Sequence, residues 1–185
     1  ALAAGVDGLI LVASGAGGHA GTLSPFALVG EIRQFYDGLI VLSGSMANGA
    51  AVLSAQAMGA DLAYMGTRFI ATTEANASGA YKQGICEAGA SDVIYTNLFT
   101  GVHGNYLRQS IANAGLDPDH LPEADKSKMN FGSGGNTAAK AWKDIWGVGQ
   151  GVSVIDQVLP TAELVNELEA EYRAALAHLN TIASK

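Results

Sequence analysis

Leu9-Ile-Leu-Val12, followed by Ser14-Gly-Ala-Gly-Gly-His-Ala-Gly21, is the stretch on which the reading of this chain turns. The unbroken apolar run predicts a strand over Gly8–Ser14 that is covered on both faces, as strands of parallel sheets are. Glycines at its carboxyl end leave backbone N–H groups open to a ligand, because no Cβ stands in the way. His19 then lies at the end of a strand where α/β folds carry their chemistry. Taken alone, the same residues read equally well as a flexible turn with an incidental histidine. The residues downstream decide between the two.

Two more units repeat the pattern. Ser24-Pro25 supplies an N-cap and a first-turn proline to a helix marked by Val29, Ile32 and Tyr36 and ended by Asp37-Gly38. A strand over Leu39–Ser43 runs into Gly44-Ser-Met-Ala-Asn-Gly49, and a helix over Ala50–Met58 stops at Gly59. A strand over Asp61–Met65 delivers Gly66-Thr67-Arg68-Phe69. Three consecutive βα units with short connections predict an α/β fold, either a doubly wound sheet or a (β/α)8 TIM barrel. Closing that barrel takes eight strands, so on the barrel reading these are its last three and an amino-terminal part carries the rest. The opening residues Ala1–Gly8 agree, since they read as the last turn of a helix, a glycine stop and a turn into the strand.

Past Phe69 the pattern changes. Helices are predicted over Ser78–Ala88 and Asn105–Asn113, with an extended piece at Asp92–Asn97 between them. Residues 117–136 read as a long irregular loop, a helix resumes over Thr137–Lys143, and Gly147-Val-Gly-Gln-Gly151 forms a fourth glycine cluster. A helix over Ala162–Ile182 places Leu164, Leu168, Tyr172, Leu176 and Leu179 on one face and pairs Glu169 with Arg173. The expected division is residues 1–72 as the barrel part, 73–151 as a mostly helical substrate-side domain, and 152–185 as a helix packing on the barrel.

Composition removes several function classes. The net charge of −7 comes with no basic cluster, which argues against a nucleic-acid partner. No apolar run approaches the roughly 18–20 residues that span a bilayer. The single cysteine, Cys86, has no partner for a disulfide and no metal-ligand spacing around it, so a reducing, cytoplasmic setting without a metal site is expected. Cys86 has no activating base nearby and reads as inert.

Gly44-Ser45 and Gly66-Thr67 suit a phosphate dianion. Their glycines permit close approach, their hydroxyls donate, and no acidic residue stands beside them. Each loop alone is also an ordinary βα turn; two in succession strengthen the phosphate reading.

Gly-Ala-Gly-Gly-His-Ala-Gly (15–21), Ser-Gly-Ser-Met-Ala-Asn-Gly (43–49) and Met-Gly-Thr-Arg-Phe-Ile-Ala-Thr (65–72), in this order and spacing, resemble the nitronate monooxygenase family. Its relatives include flavin-dependent quinone reductases and flavin enoyl-acyl-carrier-protein reductases. Ile145-Trp-Gly-Val-Gly-Gln-Gly151 extends the resemblance, which corresponds to the second half of a full-length member. It implies a TIM barrel binding FMN, with Gly44, Ser45, Gly66 and Thr67 at the phosphate and Gly17 and Gly18 close to the flavin. The usual family loop reads Gly-Gly-Ile/Phe-Ala-Asp-Gly, whereas this chain has Ser45 and Asn48 at the second glycine and the aspartate.

His19 matches the family histidine. The resemblance implies that it abstracts the α-proton of a nitroalkane or orients a nitronate near the flavin. In a reductase it would position a carbonyl oxygen or supply a proton. His103 and Tyr106 are further substrate-side candidates, as is Gln150 beside Trp146. Each also has a plain structural reading: a cap or solvent-facing group for His103, a packing turn for Gln150. Three functions remain open. The first is FMN-dependent oxidation of nitronates or nitroalkanes with O2. The second is NAD(P)H-dependent reduction of quinones or of enoyl or CoA thioesters on the same fold, and the third is a flavin-free barrel for phosphate ligands.

Overall fold

The computed structural model describes residues 1–124 and 141–185. Its first half is the expected α/β layer. Strands β1 (Gly8–Val12), β3 (Leu39–Ser43) and β4 (Leu62–Tyr64) form a parallel sheet in the order β1-β3-β4. Between them run α1 (Pro25–Arg33) and α2 (Gly49–Met58). The helix starts follow from their caps: Ser24 Oγ accepts from Ala27 N, and Asn48 Oδ1 accepts from Ala51 N at 2.8 Å. Gly59, in the left-handed region at φ 105°, ends α2 as its position predicts.

Leu11, Ile40 and Leu42 pack with Val29, Ala55 and Ala60 into one core between sheet and helices. Ile10, Val12, Leu39, Leu62 and Tyr64 alternate with them and are exposed on the opposite face. Covering of β1 on both faces, expected from its apolar run, is thus not met by these residues alone. The side chains are apolar enough for two covered faces, but the described residues supply helices to only one. Asp61 ties the sheet to α1, accepting from Ile40 N and from the Arg33 guanidinium, both at 2.8 Å. The Ile40 N–H and then Arg33 hold its carboxyl below the usual range.

The second half differs more from expectation. Asn105–Leu107, read as the start of a helix, lies in a strand, β6 (Gly104–Leu107), and only Arg108–Asn113 is helical, as α5. Tertiary pairing overrides the local pattern here: β6 is the centre of an antiparallel sheet between β2 (Gly18–His19) and β5 (Val93–Thr96). The glycine loop is therefore itself an edge strand of a second sheet. The short α3 (Thr67–Ile70) follows β4, and α4 (Gly79–Glu87) opens with Ser78 as its N-cap, Oγ accepting from Tyr81 N. Of the predicted 117–136 loop, residues 117–124 carry no helix or strand and 125–136 lie outside the described residues. The helix expected over Thr137–Lys143 is described only as α6, Ala141–Asp144.

Helix α7 (Thr161–Ala183) packs along α2. Leu164 is buried and Leu168 and Tyr172 half-buried, whereas Leu176 and Leu179, predicted on the packing face, are exposed. The predicted Glu169–Arg173 pair forms at 2.9 Å. Glu171 Oε2 accepts from Gly49 N at 2.7 Å, placing a carboxylate of α7 at the start of α2. Glu74 performs the same service for α7, accepting from the Thr161 N–H and hydroxyl. Those two bonds, with one from the Thr73 hydroxyl, hold its carboxyl down to about 2. A depressed pKa stabilises the fold above the ordinary glutamate range, and that contribution is lost as pH falls through the folded value. Glu74→Gln is therefore expected to melt below the parent protein near neutrality, with the gap closing as pH falls to about 2. Thermal melts of both proteins across acid pH check this.

Candidate functional site: a glycine-walled cleft

The carboxyl ends of β1, β3 and β4 meet the fourth glycine cluster around an open cleft of about 230 Å3. Gly15, Gly17 and Gly18 line it from the first loop, Gly44 and Ser45 from the second, Gly66 and Thr67 from the third, and Gly147, Gly149 and Gly151 from the last. All six residues named for the cofactor therefore line the same cleft. Tyr64, Ile70 and Met46 add apolar surface, and no carboxylate is among the described lining residues.

The loops are bolted together through backbone groups. Gly15 O accepts from Ser45 N at 3.3 Å and from Gln150 N at 2.9 Å. Thr67 Oγ1, buried, accepts from Gly149 N at 2.9 Å. Such close approach requires glycine at two positions above all. A Cβ on Gly15 would run into the Ser45 hydroxyl, and one on Gly17 would lie 2.9 Å from Gly149 N.

Ser45 is the one non-glycine residue with positive φ among the described residues, at 57°. Its hydroxyl donates to Ser14 O at 3.2 Å, so serine recovers in a hydrogen bond part of what the left-handed backbone costs. Strain of roughly 1–2 kcal/mol and a bond worth about 0.5–1.5 kcal/mol nearly cancel, so Ser45→Gly is expected to leave stability unchanged. Ser45→Val keeps the strain, adds a β-branch and loses the bond, and is expected to cost about 2 kcal/mol or more. Denaturant melts of the two variants measure both. Asn48, the other departure from the family loop, keeps an acceptor at the cap of α2.

The candidate substrate residues fall elsewhere. His19 is exposed beside the cleft, next to Gly18, and its Nε2 lies 2.9 Å from Thr100 Oγ1. His103 stacks on Tyr95 with ring centroids 5.0 Å apart and does not line the cleft. Tyr106 is buried, and burial pushes its phenol pKa up, with the neighbouring Thr100 hydroxyl pulling the other way. Gln150 also stays outside the lining set, its side-chain oxygen facing Gly15. Arg108 forms a two-pronged pair with Asp119, both bonds at 2.9 Å, and is thereby occupied on the surface. Burial pushes the Cys86 thiol up, in keeping with an inert residue.

Two residues that carry the site have no motif to announce them. Asn105, buried in β6, donates from Nδ2 to Ala16 O at 2.7 Å while its backbone carbonyl accepts from Val148 N, clamping the first loop to the last. Tyr81 of α4 lines the cleft, donates its hydroxyl to Gly147 O and stacks on Trp146 at 5.0 Å. Burial pushes its phenol up to about 12, so it stays a donor throughout the working pH range.

The cradle suits the phosphate end of a flavin nucleotide. Glycine backbone from four loops walls it with no acidic side chain among the described lining residues, and Cβ atoms added at Gly15, Gly17 or Gly44 would collide with the neighbouring loops.

Comparison with known proteins gives the same direction. The chain is 29% identical over 197 residues to a nitronate monooxygenase from Paraburkholderia phytofirmans, covering 98% of this chain and 53% of that protein. A probable nitronate monooxygenase of Bacillus subtilis is 27% identical, with 89% of this chain and 51% of that protein covered. The chain thus spans about half the length of the curated relatives it matches. Among solved structures it is similar to a nitroalkane oxidase from Streptomyces ansochromogenes, with TM-score 0.76 and 28% identity over 96% of this chain and 55% of that one. It shares its fold with FabK from Thermotoga maritima, at TM-score 0.74 and 21% identity over 98% of this chain and 59% of that one. The family model for nitronate monooxygenase matches residues 1–171, nearly the whole sequence. From the glycine loops to α7, the chain belongs to the nitronate monooxygenase family.

Proposed function

We propose that this chain forms the carboxyl-terminal part of an FMN-dependent oxidoreductase that oxidises nitronates or nitroalkanes with O2. Residues 1–72 are the last three βα units of its TIM barrel, 73–151 the substrate-side domain, and 152–185 the helix that packs on the barrel. The observation carrying this reading is the convergence of Gly17, Gly18, Gly44, Ser45, Gly66 and Thr67 on one cleft. The exposed apolar face of Ile10, Val12, Leu39, Leu62 and Tyr64 supports an amino-terminal half that supplies the remaining strands and the other wall of the pocket.

In this reading Gly44, Ser45, Gly66 and Thr67 hold the FMN phosphate, and Gly17 and Gly18 let the backbone lie close to the flavin ring. Bound FMN supplies the electron transfer to O2. His19 takes the α-proton of a nitroalkane or orients the nitronate, and Tyr81, held on Gly147, fixes the fourth glycine loop at the cleft.

Anaerobic reduction of the purified holoenzyme distinguishes the reactions. Bleaching of the flavin bands by propyl nitronate, with reoxidation by O2, is expected. Bleaching by NADH alone would assign the chain to the NAD(P)H-dependent reductases of the same fold.

A further inference from the structure

On α7, Leu164, Glu167, Leu168, Glu171 and Tyr172 recur at helical spacing and none is exposed, so two carboxylates share the packing face with its apolar residues. Glu163 and Glu169, on the other faces, are exposed. A carboxylate drawn out of water needs a partner, and each of the two has one in a different helix. Glu171 Oε2 accepts from the N–H of Gly49, the first residue of α2, at 2.7 Å. One turn earlier, Glu167 Oε2 accepts from the guanidinium of Arg68 at 3.3 Å. Arg68, in the first turn of α3, is buried and also donates to Gln157 O.

Those two helices are the ones into which the phosphate loops run. Gly44-Ser45 leads into α2 and Gly66-Thr67 into α3. The contact with α2 leaves no slack, since a Cβ on Gly49 would run into Leu168 O and Tyr172 N of α7. Neither glutamate is among the described residues lining the cleft. We propose that Glu167 and Glu171 are positioning residues through which α7, from outside the cleft, fixes the exits of both phosphate loops and so sets their grip on the phosphate. The inference rests on the reading of those loops as the FMN phosphate cradle. Charge alone predicts the opposite sign, because removing a carboxylate near an anion site favours the anion.

The test compares two flavins that differ only in the phosphate, FMN and riboflavin, titrated into the complete enzyme after its own flavin has been removed. Glu171→Leu is expected to raise the Kd for FMN about fivefold or more and to leave that for riboflavin within about twofold. Glu171→Gln keeps an oxygen for Gly49 N and is expected to bind both flavins as the parent does. Glu167→Ala, in which Arg68 retains Gln157 O, is expected to show the same split between the flavins. Glu171→Asp keeps the charge, shortens the reach by one CH2 and carries the comparison if Glu171→Leu folds poorly. Equal weakening of both flavins would make α7 a structural strut and overturn the proposal, as would an unchanged or lower Kd for FMN. A parent protein that binds riboflavin as tightly as FMN would overturn the phosphate cradle itself, and the proposal with it.

Discussion

His19→Ala is expected to lower turnover of the preferred nitroalkane by about 10²–10⁴-fold, the range by which a positioned acid or base accelerates proton transfer. FMN is expected to stay bound, because His19 stands beside the cleft and is not part of its lining. The two readouts together are the point. Loss of rate with the flavin spectrum intact assigns a chemical role to the imidazole, whereas loss of both would make it a structural strut of β2. Unchanged turnover would remove His19 from the mechanism. Steady-state kinetics beside an absorbance spectrum of the same preparation are sufficient.

Gly44→Ala is expected to damage the cradle itself. Gly44 sits at φ 129°, a backbone conformation that costs other residues about 1–3 kcal/mol. Its added Cβ would lie 2.9 Å from Ser14 O and 3.2 Å from Ala13 O, both backbone atoms that a side-chain rotation cannot move away. Overpacking of that kind costs a further 1–3 kcal/mol or so, giving about 2–6 kcal/mol together. A domain of ordinary stability survives such a loss only narrowly. FMN affinity is expected to fall at least tenfold, measured by flavin retention on dialysis, and the denaturation midpoint to fall with it. Gly30→Ala is the control. Gly30 lies in α1 with nothing within 4 Å of an added Cβ, so the change is expected to be neutral or to stabilise by about 0.5–1 kcal/mol, with flavin retained.

The first half of the chain was legible because its signals are local. Ser24-Pro25 and Asn48 cap helices, Gly59 stops one, and each apolar run ends in glycine, so strand, loop and helix follow from neighbours a few residues apart. The cleft was legible for the same reason, as three such loops at the ends of parallel strands must meet. What escaped reading is non-local. Tyr106, Leu107 and Ile111 fit a helical spacing, and only pairing of β6 with Gly18-His19 and Val93–Thr96 makes Gly104–Leu107 a strand. Asn105 clamps Ala16 across 89 positions of sequence, and Tyr81 reaches Gly147 across 66, with no motif to mark either. The exposure of Leu176 and Leu179 has a simpler origin: α7 outruns the ten-residue α2 on which it packs.

The central claim is that the glycine loops at the ends of β1, β3 and β4 cradle the phosphate of FMN, and release of the bound chromophore tests it most directly. Denaturing the purified holoenzyme and identifying what leaves it, by absorbance and mass, is expected to yield stoichiometric FMN, with Gly44→Ala yielding little. A colourless protein that takes up no added FMN would contradict it.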